Sequence, residues 1–182
     1  MFKPLLNAIF KKDPSLEAGR ALYAAAVEQA RSAPLYEQLG AEDTVEGRFE
    51  QVALHVYLVM RRLKTEPGAR ETSQCMFDAM FQNMDDSLRE MGVGDDAVGK
   101  KVRKMAESFH GRIAAFEDAL APNAEPAELE RALGRNLFAN EQAAAAPKFA
   151  AYVRKLDAAL HGQPHGRVAK GIVVFPPMEE LI

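Results

Sequence analysis

The sequence predicts an all-α protein, a single helical bundle of about six helices with an extended C-terminal tail. In two long segments, apolar residues recur at alternating spacings of four and three, which is the pattern of one buried face of an α-helix. They are Val45, Phe49, Val52, Val56, Val59 and Leu63 in one segment, and Val98, Val102, Met105, Phe109, Ile113, Phe116 and Leu120 in the other. A β-prone run at residues 172–175 is too short to make a sheet alone, and two prolines follow it.

Helix-capping residues predict where the first two helices begin. Asp13 followed by Pro14 is a good helix start, and this helix should run to about Ser32, before Pro34. Asp43 precedes a glutamate by three residues, so we expect Asp43 to cap the second helix in a capping-box arrangement.

Four further helices are predicted along the rest of the chain. The third begins at Thr72 or Ser73 and ends at the glycines of residues 92–94. Asp95 should cap a fourth helix of roughly 25 residues, about 37 Å long at 1.5 Å per residue. Two more should cover about residues 127–138 and 147–161. The last stretch, 162–182, should be an extended tail that packs on the helices or docks on a partner.

Length and composition indicate one domain with a substantial core. The chain has 182 residues, of which 48% are hydrophobic and 27% charged, which is ordinary usage for a globular protein. The net charge of −3 argues against a general nucleic-acid binder, and we expect no DNA partner. A single cysteine cannot form a disulfide bond within the chain, so we expect the protein to be in a reducing compartment. We assign residues 13–161 to the helical domain.

Residues 1–12 form a separate short amphipathic segment. Phe2, Leu5 and Ile9 are spaced to share one helical face, and Lys11 and Lys12 follow them. Such a segment can lie on an anionic membrane surface, or it can pack on the body of its own domain. The sequence leaves both alternatives open. No run of 18 apolar residues occurs, so we expect no segment that spans a membrane.

Several motifs are typical of catalytic or ligand-binding sites, but the residues around them do not support such a site. Residues 94–100 have the glycine and lysine spacing of a phosphate-binding loop, but no strand precedes them and Lys101 replaces the hydroxyl residue that binds magnesium. His161 and His165 are separated by a helix-breaking Gly-Gln-Pro, so they do not align as metal ligands. We interpret Cys75 as a small, buried apolar residue. We therefore expect no catalytic residues, no metal and no cofactor.

A basic cluster lies at the start of the fourth predicted helix. Lys100, Lys101 and Lys104 belong to it, together with Arg103. The helix dipole disfavours positive charge at this end, so the position is not explained by local helix stability. The cluster is either a solvated face or a contact with anionic lipid, RNA or an acidic protein. An RNA- or ribosome-binding module is therefore one alternative function.

Apolar side chains on the second and third helices exceed what one helical face needs. Leu54 and Leu58 lie opposite the main seam of the second helix, and Phe81, Met84 and Leu88 belong to the third. We predict that part of this surface stays open for a partner. The competing interpretation is that the C-terminal helices cover it. Methionine, with eight copies in the chain, suits either a core or an adaptable binding surface, and a pocket among these residues would instead indicate a small-molecule site.

A polar stripe runs along the second helix. Arg48, His55 and Arg62 are spaced seven residues apart. Two flanking cations would disfavour charging His55, so we expect packing or partner contact rather than proton transfer. Arg48 should reach a carboxylate or a backbone carbonyl.

Two strings resemble a known family. They are the DTVEGRF string of residues 43–49 and the MDDSLREMGVGD string of residues 84–95. The sequence resembles the ubiquinol–cytochrome c chaperone family over roughly residues 20–120. The resemblance implies a non-catalytic assembly factor for cytochrome b, or another component, of the ubiquinol–cytochrome c reductase, respiratory complex III.

The same resemblance implies partners and a location. Mitochondrial members work with a small partner protein at the ribosome. The start methionine without an evident transit peptide and the single cysteine fit a bacterial member. We expect it in the cytoplasm, either free or peripheral on the cytoplasmic face of the inner membrane. From the residue patterns described above, and not from the resemblance, the candidate partner-binding residues are Leu54, Leu58, Arg48, His55, Phe81, Met84, Leu88, Lys100, Lys101 and Lys104.

Overall fold

The computed structural model describes residues 13–182, and helices dominate this part of the chain. The α-helices are α1 (Pro14–Ala30), α2 (Ala33–Glu37), α3 (Val45–Leu63), α4 (Arg70–Glu90), α5 (Asp95–Ala119), α6 (Pro126–Leu137), α7 (Ala146–His161) and α8 (Met178–Leu181), with a 3₁₀ turn at Val168–Lys170. Six of them have 12 residues or more, and no strand occurs within 13–182. The all-α prediction is confirmed.

Side-chain caps explain where α1 and α3 begin. The Asp13 carboxylate accepts a hydrogen bond from the backbone N–H of Ser15 at 2.9 Å, as the sequence predicts. At α3 the cap is Thr44, whose Oγ1 accepts from the N–H of Gly47 at 3.0 Å. The expectation that Asp43 caps this helix is therefore wrong by one residue. The Asp43 side chain is instead engaged by Arg48, as that part of the prediction anticipated.

The start of α5 differs from the prediction in a similar way. Gly94 occupies the N-cap position with an extended backbone, and Asp95 is the first residue of the helix. The Asp95 carboxylate forms an ion pair with Arg89 across the turn from α4. Gly92 in that turn has φ of 81°, a left-handed conformation that glycine adopts without strain and that ends α4 as predicted.

The short helix α2 was not predicted. The chain does leave α1 before Pro34, but that proline then occupies the first turn of a new helix, where it lacks only an N–H that would have no partner. The Tyr36 hydroxyl donates to the carbonyl of Ala30 at 2.8 Å and ties α2 to the end of α1.

Helices α1 and α4 run side by side in the same direction. The Ser15 hydroxyl donates to Glu71 at their beginnings, and the Tyr23 hydroxyl donates to the side chain of Asn83 further along, at 2.8 Å. Gly19 lies at the closest approach, because a Cβ there would stand 2.6 Å from the Cβ of Cys75. Glycine is needed at this position for the two backbones to pack.

Helix α3 is the centre of the bundle. It contacts α1 and α4 on one side and the C-terminal helices α6 and α7 on the other. Leu54 and Leu58 are consequently 1% and 0% exposed, and Phe81 on α4 is also buried. The prediction that these three side chains belong to an open surface is wrong, since other helices cover them.

The C-terminal segment packs on the bundle. Its buried side chains are Val168, Met178 and Leu181. The Glu66 carboxylate, which follows α3, accepts from the N–H of Gly166 at 2.9 Å. The C-terminal tail is thus partly helical. It packs on the helices of its own chain, which is the first of the two alternatives that the sequence left open.

None of the helices in residues 13–182 has the length and apolar character needed to cross a bilayer. The predicted amphipathic segment 1–12 lies outside the described residues.

Candidate functional site

An apolar groove opens on one side of the bundle. Its walls are the end of α1, the first turns of α3, the last turns of α4 and the first half of α5, and we call it the α3–α5 groove. Two adjoining cavities of about 320 and 280 Å³ form it. The apolar residues that line it include Val27, Val45, Phe49, Met84, Leu88 and Met105.

The rim of the groove carries large apolar side chains that the bundle does not cover. Val45, at the start of α3, is 63% exposed, and Met91, just after α4, is 56% exposed. Met84 and Leu88 are half-buried between them. Surfaces that expose apolar groups inside a polar rim are typical of sites that bind other molecules.

Basic side chains surround the apolar floor. Lys101 and Lys104 lie on the α5 wall, and Arg31 and Arg48 lie at the opposite end. Arg48 pairs with Asp43 at 2.5 Å, and the hydrogen bond from its guanidinium lowers the pKa of the Asp43 carboxyl. Both side chains of this pair are largely exposed.

A partly buried ion pair lies at the α5 wall. Glu50 of α3 bonds to Arg112 of α5, and their side chains are 15% and 19% exposed. Burial raises the pKa of Glu50, and the charge of Arg112 opposes this shift. Within the described residues, the second carboxylate oxygen of Glu50 and Nε of Arg112 have no hydrogen-bond partner. The groove therefore has a polar spot with unused bonding capacity next to its apolar floor.

The structure brings together five of the residues singled out in the sequence. Arg48, Met84, Leu88, Lys101 and Lys104 all line the α3–α5 groove. Lys100 is exposed on α5 but does not line the groove.

The other four sequence candidates lie in the core. Leu54, Leu58 and Phe81 are buried, and the ring of Phe81 packs against that of Phe77 with centroids 4.6 Å apart. His55 is 0% exposed as well. None of these four side chains can contact a partner in this conformation.

His55 is held by two hydrogen bonds. Its Nδ1 lies 2.7 Å from the carbonyl oxygen of Gln51, and its Nε2 lies 2.6 Å from the Tyr152 hydroxyl. Burial lowers the pKa of His55 to about 4, so the ring is neutral at pH 7. The carbonyl requires a proton on Nδ1, so Tyr152 donates to Nε2. The expectation that His55 packs rather than transfers protons agrees with this geometry, although burial, not the neighbouring arginines, disfavours the charge.

Sequence reasoning missed part of the groove. Val45 and Phe49 were assigned to the buried seam of the second helix because they fit its spacing, and Met91 was assigned to the third helix. In the structure Val45 is exposed and Phe49 is half-buried, because both residues line a groove that the neighbouring helices leave open. Within residues 13–182, no cluster of three histidine, cysteine or acidic side chains is placed to hold a metal ion.

Comparison with known proteins identifies similar sequences and structures. A family model described as ubiquinol-cytochrome C chaperone matches residues 37–175. The crystal structure of the Cbp3 homolog from Brucella abortus has 31% sequence identity and a TM-score of 0.83, and the alignment covers 98% of this chain and 99% of that one. No curated protein matches. The RNA- or ribosome-binding alternative receives no support from these similarities.

Proposed function

The chain belongs to the ubiquinol–cytochrome c chaperone family, and we propose that it acts as a non-catalytic assembly factor for cytochrome b of the ubiquinol–cytochrome c reductase, respiratory complex III. The similarity supports this role over nearly the whole chain rather than over one motif. Most of the α3–α5 groove, from Val45 to Arg112, lies inside the residues that the family model matches.

The observation that carries the proposal is the apolar groove that the bundle leaves open. A chaperone for a membrane protein must shield apolar segments before these are assembled, so it needs apolar surface that its own chain leaves free. Val45 and Met91 provide such surface at the rim of the groove, whereas Leu54 and Leu58 are already used by the core. Methionine side chains at Met84, Met91 and Met105 can adapt to varied apolar partners.

The absence of catalysis is part of the proposal. His55, whose pKa is shifted far down, is enclosed by Gln51 and Tyr152 and has no access to the groove. The groove itself offers an ion pair and basic side chains around an apolar floor, which suit binding rather than bond cleavage.

The proposed location follows from the client. Cytochrome b is inserted into a membrane, so we propose that the protein meets it as a peripheral protein at the cytoplasmic face of the inner membrane. Residues 1–12, with their apolar spacing and the two lysines at their end, are the proposed attachment segment. Deleting 1–12 should then move the protein from the membrane fraction to the soluble fraction, while the same deletion should leave urea unfolding unchanged.

The test of the function is direct capture of the client. The full chain carrying a photo-crosslinker at Met91 should be expressed in cells that make complex III, and membranes should be solubilised after irradiation. Cytochrome b is expected in the crosslinked product, and the same crosslinker at Arg167, an exposed residue of the C-terminal segment, serves as the control. If cells lacking the protein assemble normal amounts of complex III and no cytochrome b is captured, the proposed function is wrong.

A further inference from the structure

We propose that the α3–α5 groove binds a partner α-helix of about three turns, whose apolar stripe is flanked by acidic side chains. This inference rests on the proposed function, because it describes the chemistry of the client segment that the groove would hold. It is a statement about the shape and charge of one surface, so it can fail while the proposed function stands.

The walls of the groove favour a helical occupant. The α5 wall, from Lys101 to Arg112, lies inside its helix, where the backbone N–H and C=O groups are paired with one another. At the end of α4 the carbonyl groups of Ser87 and Leu88 accept hydrogen bonds from the N–H groups of the residues that follow the helix. An extended peptide would find few backbone partners there and would leave its own polar groups unpaired in an apolar site. A helix satisfies its own backbone and needs only an apolar face to lie in the groove.

The length of the groove sets the length of that helix. The α5 wall runs from Lys101 to Arg112, which are both lining residues. Eleven residues of α-helix rise about 16 Å at 1.5 Å per residue, which equals about three turns of a partner lying along the wall. Between these two ends the floor offers Phe49, Leu88 and Met105 to an apolar stripe.

The charge of the rim favours acidic flanks on the partner. Lys101 and Lys104 form no ion pair with any described residue, and the same holds for Arg31 at the other end of the groove. Arg48 is already paired with Asp43. Glu46 is the opposing charge at the rim, so the unpaired charge that remains there is positive. Carboxylates at the edges of a bound helix would complement it.

Two other occupants fit the surface less well. An anionic bilayer would also have to approach the neighbouring junction of α4 and α5, where Glu90 and Asp96 are exposed and would repel it. A second copy of this chain, docked symmetrically, would place the basic rim against itself. A separate acidic helix in the groove avoids both conflicts.

The experiment uses the full-length protein and fluorescent helical peptides as probes. Each peptide has 14 residues, is held helical by a side-chain staple and carries a leucine stripe, with either glutamates or lysines flanking the stripe. Binding is measured by fluorescence anisotropy at low and high salt. We expect the glutamate peptide to bind more tightly than the lysine peptide, and the difference to shrink at high salt because exposed charges are screened.

A pair of matched variants tests the location. K101E/K104E reverses two charges on the groove wall, and K100E/R103E reverses two charges on the same helix outside the groove lining. The first should weaken glutamate-peptide binding by at least about fivefold and improve lysine-peptide binding, because two surface ion pairs are lost and reversed. The second should change either affinity less than about twofold, since long-range effects of net charge alone are screened.

A second variant tests the apolar floor. Leu88→Ser should weaken binding of both peptides, whereas Leu16→Ser, at an exposed position in the first turn of α1 and outside the groove lining, should weaken neither. Circular dichroism and urea unfolding of every variant show whether it is folded. Because the charge variants alter exposed side chains, they keep the test decisive even if Leu88→Ser is poorly folded.

Several results would overturn the inference. These are equal effects of the two charge pairs, equal binding of both peptides to the wild-type protein, binding of anionic vesicles that the peptides do not displace, or concentration-dependent dimers that block the peptides. Cytochrome b captured equally by wild type and K101E/K104E would also overturn it while leaving the proposed function intact. Selective peptide binding without any capture of cytochrome b would support the groove assignment and contradict the proposed function instead.

Discussion

Arg62 and Glu66 form an ion pair at the end of α3, with Nη2 and Oε1 2.8 Å apart and both side chains only 1% exposed. Arg62 also donates to the carbonyl oxygens of Leu160 and Gln163 at 3.0 and 2.9 Å. Glu66 accepts from the N–H of Gly166. The pair therefore joins the centre of the bundle to the segment that follows α7.

Removing one member of this pair should destabilise the fold strongly. Arg62→Ala leaves the Glu66 carboxylate buried without its cation, which typically costs about 3–5 kcal/mol. Urea unfolding followed by circular dichroism measures the change. Arg89→Ala breaks two solvent-accessible pairs, with Asp85 and Asp95, and is the control, for which we expect a far smaller loss of stability. Similar losses in the two variants would contradict the structural role given to the buried pair.

His55 should make the protein less stable in mild acid. Its pKa is about 4 in the folded chain, against an ordinary value of 6.5. Between these two values the unfolded chain binds a proton that the folded chain does not, so stability falls as pH falls through this window. From pH 7.5 to pH 5 the loss from this residue should be about 2 kcal/mol.

The matched variant for that prediction is His55→Gln, which removes the titration while keeping a polar side chain. Its unfolding free energy should be lower at pH 7.5 because the bond to Tyr152 is disturbed. The further loss between pH 7.5 and pH 5 should be smaller than in the wild type by about 2 kcal/mol. An identical pH dependence in both proteins would show that His55 is not the group responsible.

Two adjacent residues at the start of α3, Asp43 and Thr44, should differ in how much they contribute to stability. Thr44→Ala should lower the unfolding free energy by about 1 kcal/mol, because the N–H of Gly47 loses its acceptor. Asp43→Ala should have little effect on stability, since the Asp43–Arg48 pair is exposed to solvent. Thermal melting of both variants, with wild type as reference, measures this. A larger loss of stability for Asp43→Ala than for Thr44→Ala would indicate that Asp43 caps the helix.

Leu58 should behave as a core residue. Leu58→Ala removes a side chain that is 0% exposed, so we expect a loss of about 2–5 kcal/mol from lost burial and the cavity that remains. Val45→Ala, at a position 63% exposed, should change stability by no more than about 0.5 kcal/mol. Urea unfolding of the pair checks both values. Near-equal stability of the two variants would mean that the helices covering Leu58 do not pack as described.

Local patterns predicted most of the helices. The four-three spacing of apolar residues located α3 and α5, and the Asp13–Pro14 and Gly92 signals marked the start of α1 and the end of α4. These signals are readable because capping and amphipathicity depend on residues close in sequence. The same signals were imprecise by one residue at Thr44 and Gly94, where the neighbouring aspartates, Asp43 and Asp95, pair with arginines instead of capping the helix.

The sequence by itself determined the all-α class, the six long helices and the family resemblance, because each depends on short-range patterns or on strings of adjacent residues. The tertiary structure alone decided which apolar faces are covered. Leu54 and Leu58 are buried because α6 and α7, far along the chain, pack on that side of α3. Val45 and Leu88 line a groove that α1, α4 and α5 leave open beside the first turns of α3. Burial is a property of long-range contacts, and the periodicity of one helix does not contain them.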